Sequence, residues 1–245
     1  MCNLYSVTKS QTAIAEFARA IRDTTGNLPP MPHVNPNTAA PIVRNGSDGK
    51  RELVLVRWGM PTPQNVLMKG AKKKAKKLDE KEKPYDFKEV LRMERDPGVT
   101  NIRNVNSKHW KQWLGLEHRC VVPFTSFSEF NAAEGGDIWF GLSEERPLAF
   151  FAGIHVPQWT SVRKVKDGES TDDLYGFLTT EPNAEIGAIH PKAMPVILRT
   201  QEEIDRWMTA PAEDVPKLQL KLPDSSLIVV ARGVKEDGLP VLGTH

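Results

Sequence analysis

A handful of residues in this 245-residue chain have types and settings suited to chemistry. Cys2 directly follows Met1 in MCNLYSV. Methionine is normally excised when the next residue is small, and cysteine qualifies. Excision leaves an amine and a thiol on neighbouring carbons. A chain-terminal amine titrates at about 7.7–8.0, far below the ~10.4 of lysine, so a sizeable fraction is neutral and nucleophilic at physiological pH. Such an amine can attack an aldehyde to give a Schiff base. The thiol can then close onto the imine carbon and form a thiazolidine, a step made effectively intramolecular by proximity. No internal cysteine has this chemistry, although position alone is equally open to chance.

The other candidates lie in TNIRN (100–104), SFSEF (126–130) and AIHPKAMP (188–195). Asn101 and Arg103 alternate along an extended segment and so point the same way. Asparagine offers a donor and an acceptor, and arginine a planar fork suited to phosphate. The competing reading is a solvated loop. Glu129 follows an apolar strand and is flanked by Phe127 and Phe130. A carboxylate against aromatic surface has a raised pKa, which suits proton transfer near neutrality. The alternative is a solvent-facing edge glutamate. His190 falls between a short helix and an apolar strand, where it either shuttles protons or caps the helix through its ring. Lys192 is close enough to add positive charge. Trp58 in RWGMP is read either as a stacking platform for a base or as core.

Composition narrows the class. Hydrophobic residues are 39% and charged residues 26% of the chain, as in an ordinary soluble protein. Net charge is +2, so no global argument for a polyanion partner exists. Basic residues cluster between Lys69 and Lys83, with eight lysines against three acids. That run reads as a solvated, mobile loop or as an arm tracking phosphates. Two cysteines exclude a disulfide framework and a cysteine-rich zinc site. Cys120 in RCVVPF reads as a small buried hydrophobe. The remaining histidines show no metal-ligand spacing, and neither metal nor cofactor is expected. No segment has the length of a signal peptide or membrane span, so a cytoplasmic protein is expected, on the nucleoid if bacterial.

The elements that must position these residues are short. KSQTAIAEFARAIRD has helical spacing, with Ile14, Phe17, Ala18 and Ile21 on one face. RELVLVRWGM reads as a strand, YDFKEVLRMERD and SKHWKQWLG as short helices, and HRCVVPFTSFSEF begins as a buried strand. DIWFGLS and PLAFFAGIH read as a hairpin, and SVRKVKDGESTDD as a polar loop. LYGFLTT and MPVILR are strands around a helix begun by Pro182. Thr200 and Glu203 fit a capping box for TQEEIDRWM, and SLIVVA is a last strand. The sum is one α+β domain of about seven strands with short peripheral helices.

MC, RWGM, TNIRN, RCVVPFTSFSEF, FFAGIH and LTTEPNAEIGAIHPKAMPVIL occur in this order. In that combination the chain resembles the SOS-response-associated peptidase (SRAP) family of abasic-site-processing proteins, from Met1 to about Ala231. The resemblance implies a single α+β domain, 1–245, around a strongly bent, barrel-like β-structure, with a lysine-rich insert at about 69–83 and a short tail after about 232. It implies loss of Met1 and a thiazolidine crosslink between Cys2 and the ring-opened aldehyde of an abasic site in DNA. Its other essential positions match Asn101, Glu129 and His190. Arg103 matches a phosphate contact, and Lys192 stands near the place of a family arginine. The partners implied are single-stranded DNA and single/double-strand junctions, bound by a monomer. The chain departs from many members in having Leu4 for an arginine and Phe130 for a tryptophan. A thiol (auto)peptidase and a non-covalent reader of DNA or modified bases are the other function classes.

Overall fold

The computed structural model describes residues 2–237. Five strands close a barrel. Ala39–Asn45 pairs with Arg51–Trp58 and with Arg119–Phe124, which pairs with Ala149–Lys164. Ala149–Lys164 pairs with Gly168–Thr180, which returns to Arg51–Trp58 through the parallel pairs Leu174↔Arg57 and Tyr175↔Trp58. RCVVPF is buried at every position, as a strand covered on both faces must be. A second sheet runs in the order Ile228–Arg232, Gly136–Gly141, Ser126–Asn131, Leu4–Val7, Met31–Val34. Tyr5 carries this sheet into the barrel's core, with its ring edge-on to Trp58, Phe151 and Phe177 at 5.2–6.3 Å. Barrel strands approach closely at Gly153, where a Cβ would lie 2.8 Å from Cys120 Sγ.

Most helices are short, and several are capped by their own side chains. Ser10 and Ser107 accept backbone N–H bonds ahead of Gln11–Phe17 and Lys108–Lys111. Gln201–Thr209 carries the full Thr200/Glu203 capping box, and its Ile204, Trp207 and Met208 are buried. No helix among the described residues is long and apolar enough to cross a membrane.

Several sequence expectations need correction. DIWFGLS and PLAFFAGIH do not form a hairpin. Gly136–Gly141 pairs with the strand before it across the turn at Gly135, whereas Ala149–Lys164 joins the barrel. Both runs are apolar, so pattern alone could not tell which neighbour each preferred. SVRKVKDGESTDD is not a loop but the outer half of a long hairpin, turned at Val165–Asp167 and paired up to Lys164↔Gly168. Apart from the buried Val162 and Arg163 it lies at the surface, on a ladder of backbone bonds and pairs such as Thr160–Thr171, 2.7 Å between hydroxyls, which leave little hydrophobic signature. Ten strands of four or more residues are present among the described residues, rather than about seven.

The lysine-rich run is the helix Gln64–Asp79, not a mobile loop. Ala71 and Ala75, one turn apart, are buried and give it a narrow docking stripe. Ile21 is 64% exposed, because the first helix stops at Phe17 and Arg19 turns the chain at φ 55°. The short helix before His190 is Ala184–Gly187, capped by the side chain of Asn183 rather than begun by Pro182. The tail after 232 is anchored within the described residues: Asp237 is buried and accepts bonds from Ser126 Oγ at 2.5 Å and Arg146 Nε at 2.7 Å. Residues 238–245 of that tail lie outside the described residues.

Candidate functional site

The strand Leu4–Val7 begins two residues after Cys2 and pairs antiparallel with Ser126–Asn131. The register Leu4↔Ser128, Tyr5↔Phe127, Ser6↔Ser126 runs the chain back towards Glu129 and Phe130. Cys2 is 1% exposed, and its Sγ donates to the Leu4 carbonyl at 3.5 Å. Burial, and then the negative charge of Glu129, push the Cys2 thiol well above the ordinary thiol range. It is a protonated thiol at neutral pH.

Asn101 sits on the two-residue strand Asn101–Ile102, held parallel to Phe177 and Leu178 of the barrel. Its Nδ2 donates to the Cys2 carbonyl at 2.7 Å and to Thr100 Oγ1 at 2.9 Å. A carbonyl can only accept, which sets the orientation of the amide. Oδ1 is thereby left as a buried acceptor with no hydrogen-bond partner among the described residues. Thr100 Oγ1 donates to Asn3 Oδ1 at 3.0 Å, so the segment carrying Asn101 grips both residues that follow Met1.

Glu129 is 2% exposed on its strand. Burial raises its carboxyl above the usual range, and the positive charge of His190 works against that rise. The two are therefore electrostatic neighbours, brought together from far apart in sequence: Glu129 on its strand and His190 in the segment after the helix Ala184–Gly187. His190 Nδ1 hydrogen-bonds the Ala193 carbonyl at 3.1 Å. A carbonyl partner requires the proton on Nδ1, which makes Nε2 the basic nitrogen of the neutral ring. Nδ1 thus bonds the turn that follows the helix rather than a helix carbonyl.

Arg103 is exposed, but one arm of its guanidinium is held: Nη1 donates to the Thr180 carbonyl at 2.5 Å and the Lys192 carbonyl at 3.0 Å. A cleft of about 390 Å³ beside it includes Thr179, Thr180, Gln219 and Lys221. Lys192 is exposed next to it, and its backbone rather than its side chain touches Arg103. A second cleft of about 470 Å³ opens along Asn3, Leu4, Asn35, Ser128 and Phe130.

Trp58 is corrected by the structure. It is fully buried, stacked on Phe177 at 5.3 Å, with Nε1 donating to the Thr100 carbonyl at 3.2 Å. No face is open to a base, and its contribution is to fix the backbone just ahead of Asn101. The exposed aromatic at the site is Phe130, at 57%. The sequence marked it as a neighbour of Glu129 and as a replacement for a family tryptophan but not as an exposed face, although strand alternation puts successive residues on opposite faces. It also missed the Asp237 clamp. Ser6 Oγ donates to the Asp237 carbonyl at 2.9 Å and Ser126 Oγ to its carboxylate, tying together the strands that lead to Cys2 and Glu129. Nothing in the sequence marks that aspartate. Among the described residues no cluster of His, Cys, Asp or Glu is placed to hold a metal ion.

Three comparisons bear on this arrangement. The sequence model of the SOS response associated peptidase (SRAP) family matches residues 1–235. No curated protein matches the chain. Among solved structures, a Bordetella bronchiseptica protein aligns with a TM-score of 0.58 at 20% identity, over 93% of this chain and 97% of its own. A Bacteroides thetaiotaomicron protein aligns at 0.59 and 18% identity, over 93% and 90%. A phage-related protein from Bordetella bronchiseptica aligns at 0.58 and 16% identity, over 93% and 92%. At such identities the likeness is one of fold. With the family model spanning nearly its whole length, the chain belongs to the SOS response associated peptidase (SRAP) family.

Proposed function

We propose that the protein senses abasic sites in single-stranded DNA and crosslinks to them through Cys2 after Met1 is lost. The observation that carries this reading is the Asn101–Cys2 hydrogen bond at 2.7 Å beside a buried Glu129 whose charge acts on the Cys2 thiol. A chain end is ordinarily frayed. Here residue 2 is buried and held by its carbonyl, which presents an amine and a thiol in one defined place.

The steps follow from the groups present. An abasic sugar is mainly a closed hemiacetal, and His190 Nε2 assists its opening by proton transfer. The Cys2 amine adds to C1′ of the aldehyde and forms a carbinolamine. Loss of the carbinolamine hydroxyl as water, with a proton supplied by Glu129, gives the imine. Sγ then bonds to C1′ while the thiol proton passes through Glu129 to the nitrogen, closing the thiazolidine. The balance is amine plus thiol plus aldehyde, giving thiazolidine and one water. A carboxyl raised by burial can both give and take a proton near neutrality, which suits these roles. Asn101 orients the Cys2 terminus, Arg103 with Lys192 and Lys221 holds flanking phosphates, and Phe130 offers a stacking face. The product shields the lesion during repair and replication.

A denaturing gel tests the reading. A single-stranded oligonucleotide with one abasic site should give a shifted band that survives heating, and the intact oligonucleotide should give none. Equal shifts with both, or none with either, would rule the proposal out.

Glu129→Gln should slow adduct formation by about a hundredfold, the ordinary scale of general acid–base catalysis. In the wild type the rate should fall as pH drops through the raised carboxyl pKa, because the base form is lost. The variant should lack that limb. Its stability should move the other way. A carboxyl whose folded pKa is raised weakens the fold as pH climbs from the unfolded to the folded value. Glu129→Gln should therefore melt higher than wild type at pH 7, and the advantage should vanish below the ordinary glutamate pKa. Thermal melts at pH 4 and 7 read this directly.

A further inference from the structure

The lysine-rich helix forms one wall of a groove that the crosslinking chemistry does not use. Lys74, Lys77 and Leu78 lie on one face of Gln64–Asp79, and Lys81 continues that face past its end. Val90 and Met93, from the helix Phe87–Arg92 and its cap, form the facing wall, with Val165 of the hairpin turn beside them. The space between is about 390 Å³, enough for one or two side chains. Val165 is 55% exposed there.

Two features of this groove require explanation. First, the helix holds Lys69, Lys72, Lys73, Lys74, Lys76 and Lys77 with no acid before Asp79. Like charges three and four residues apart destabilise a helix by a few tenths of a kcal/mol per pair. Of these lysines, only Lys74 has a salt bridge among the described residues, to Glu94 at 2.9 Å. Lys77 and Lys81 have no salt bridge among the described residues, so the positive charge at the rim is only partly compensated. Second, the apolar surface under that charge is aliphatic: Leu78, Val90, Met93 and Val165. Bases bind single-strand grooves by stacking on aromatic rings, and phosphates gain nothing from an aliphatic floor. Leucine-like side chains flanked by carboxylates satisfy both features at once.

The platform is rigidly held. Asp96, buried at its neck, accepts bonds from Thr62 Oγ1 at 2.5 Å and Gly98 N at 2.8 Å. Arg163 Nη2 donates to the Gly59 carbonyl at 2.7 Å, and Arg163 pairs with Asp96 at 3.6 Å. The whole excursion thus leaves the barrel after Trp58 and returns at Asn101 through one closed neck.

We propose that this groove is a docking site for an acidic protein segment carrying apolar side chains, set apart from the DNA site. The test is fluorescence anisotropy of the full chain with a labelled peptide, Asp-Asp-Leu-Asp-Asp-Leu-Asp-Asp. Binding should weaken with salt and should fall about tenfold in Lys77→Glu/Lys81→Glu, the charge-reversal arm. It should fall several-fold in Val165→Ser, whose exposed position spares the fold, and again when both leucines of the peptide become serine. An unlabelled thymidine oligonucleotide should not displace the peptide. No binding at low salt, indifference to both apolar changes, or full displacement by the oligonucleotide would each overturn the proposal, the last in favour of a nucleic-acid arm.

Discussion

Replacing Cys2 by serine is expected to lower the yield of heat-stable adduct with abasic DNA by at least about a hundredfold, since ring closure by sulfur is the intramolecular step that removes the imine. The amine survives in this variant, so an imine still forms. It should be lost on heating and become permanent only when borohydride reduces it. Serine offers a hydroxyl on the same carbon, but a hydroxyl is a far weaker nucleophile than sulfur and its ring reverts readily. Structure adds a second reason to expect a sharp loss. Asn101 holds the Cys2 carbonyl at 2.7 Å whatever the side chain, so the variant keeps the position of residue 2 and changes its chemistry alone. Thiol peptidases lower the cysteine pKa with a cationic partner, whereas burial and then the charge of Glu129 raise that of Cys2. Cys2→Ser yields are read on denaturing gels with and without borohydride.

His155 should make the fold sensitive to acid. It is 3% exposed, and burial first, then the charges of Arg44 and His118, push its pKa down to about 3, with Asp173 pulling the other way. An ordinary histidine titrates near 6.5. Below that value the unfolded chain takes up a proton that the folded chain refuses, so stability falls as pH drops from about 6.5 towards 3. Between pH 7 and pH 4 this one group should cost about 3 kcal/mol, or roughly 10 °C in melting temperature for a chain of this size. His155→Phe removes the titrating group. The variant should show a shallower decline over that interval, whatever its stability at pH 7. Parallel stability–pH curves for the two proteins would contradict the assignment.

What the sequence disclosed, and what it hid, has a physical pattern. Cys2, Asn101, Glu129 and His190 could be singled out as candidates from their residue types and the order of their motifs, and the capping box at Thr200 was legible because it is a local hydrogen-bonding device. Barrel closure was not legible: it rests on parallel pairs such as Leu174↔Arg57, between strands over a hundred residues apart. The hairpin Ala149–Lys164/Gly168–Thr180 was hidden by its polar outer half, and the helix Gln64–Asp79 by a lysine content that conceals two buried alanines. Trp58 was left between a stacking platform and core because a tryptophan before a glycine looks like a strand's exposed end. In the fold that end is where Arg51–Trp58 meets Tyr175 to complete the barrel.

Those differences leave the central claim on a single group, the amine and thiol of residue 2. Intact mass spectrometry after mixing the purified protein with single-stranded DNA bearing one abasic site tests it most directly. The expected species is the chain without Met1 plus the oligonucleotide minus one water, stable to heating and absent from Cys2→Ser. A heat-stable adduct of equal yield in Cys2→Ser, or one mapped by peptide digestion to a lysine, would contradict it.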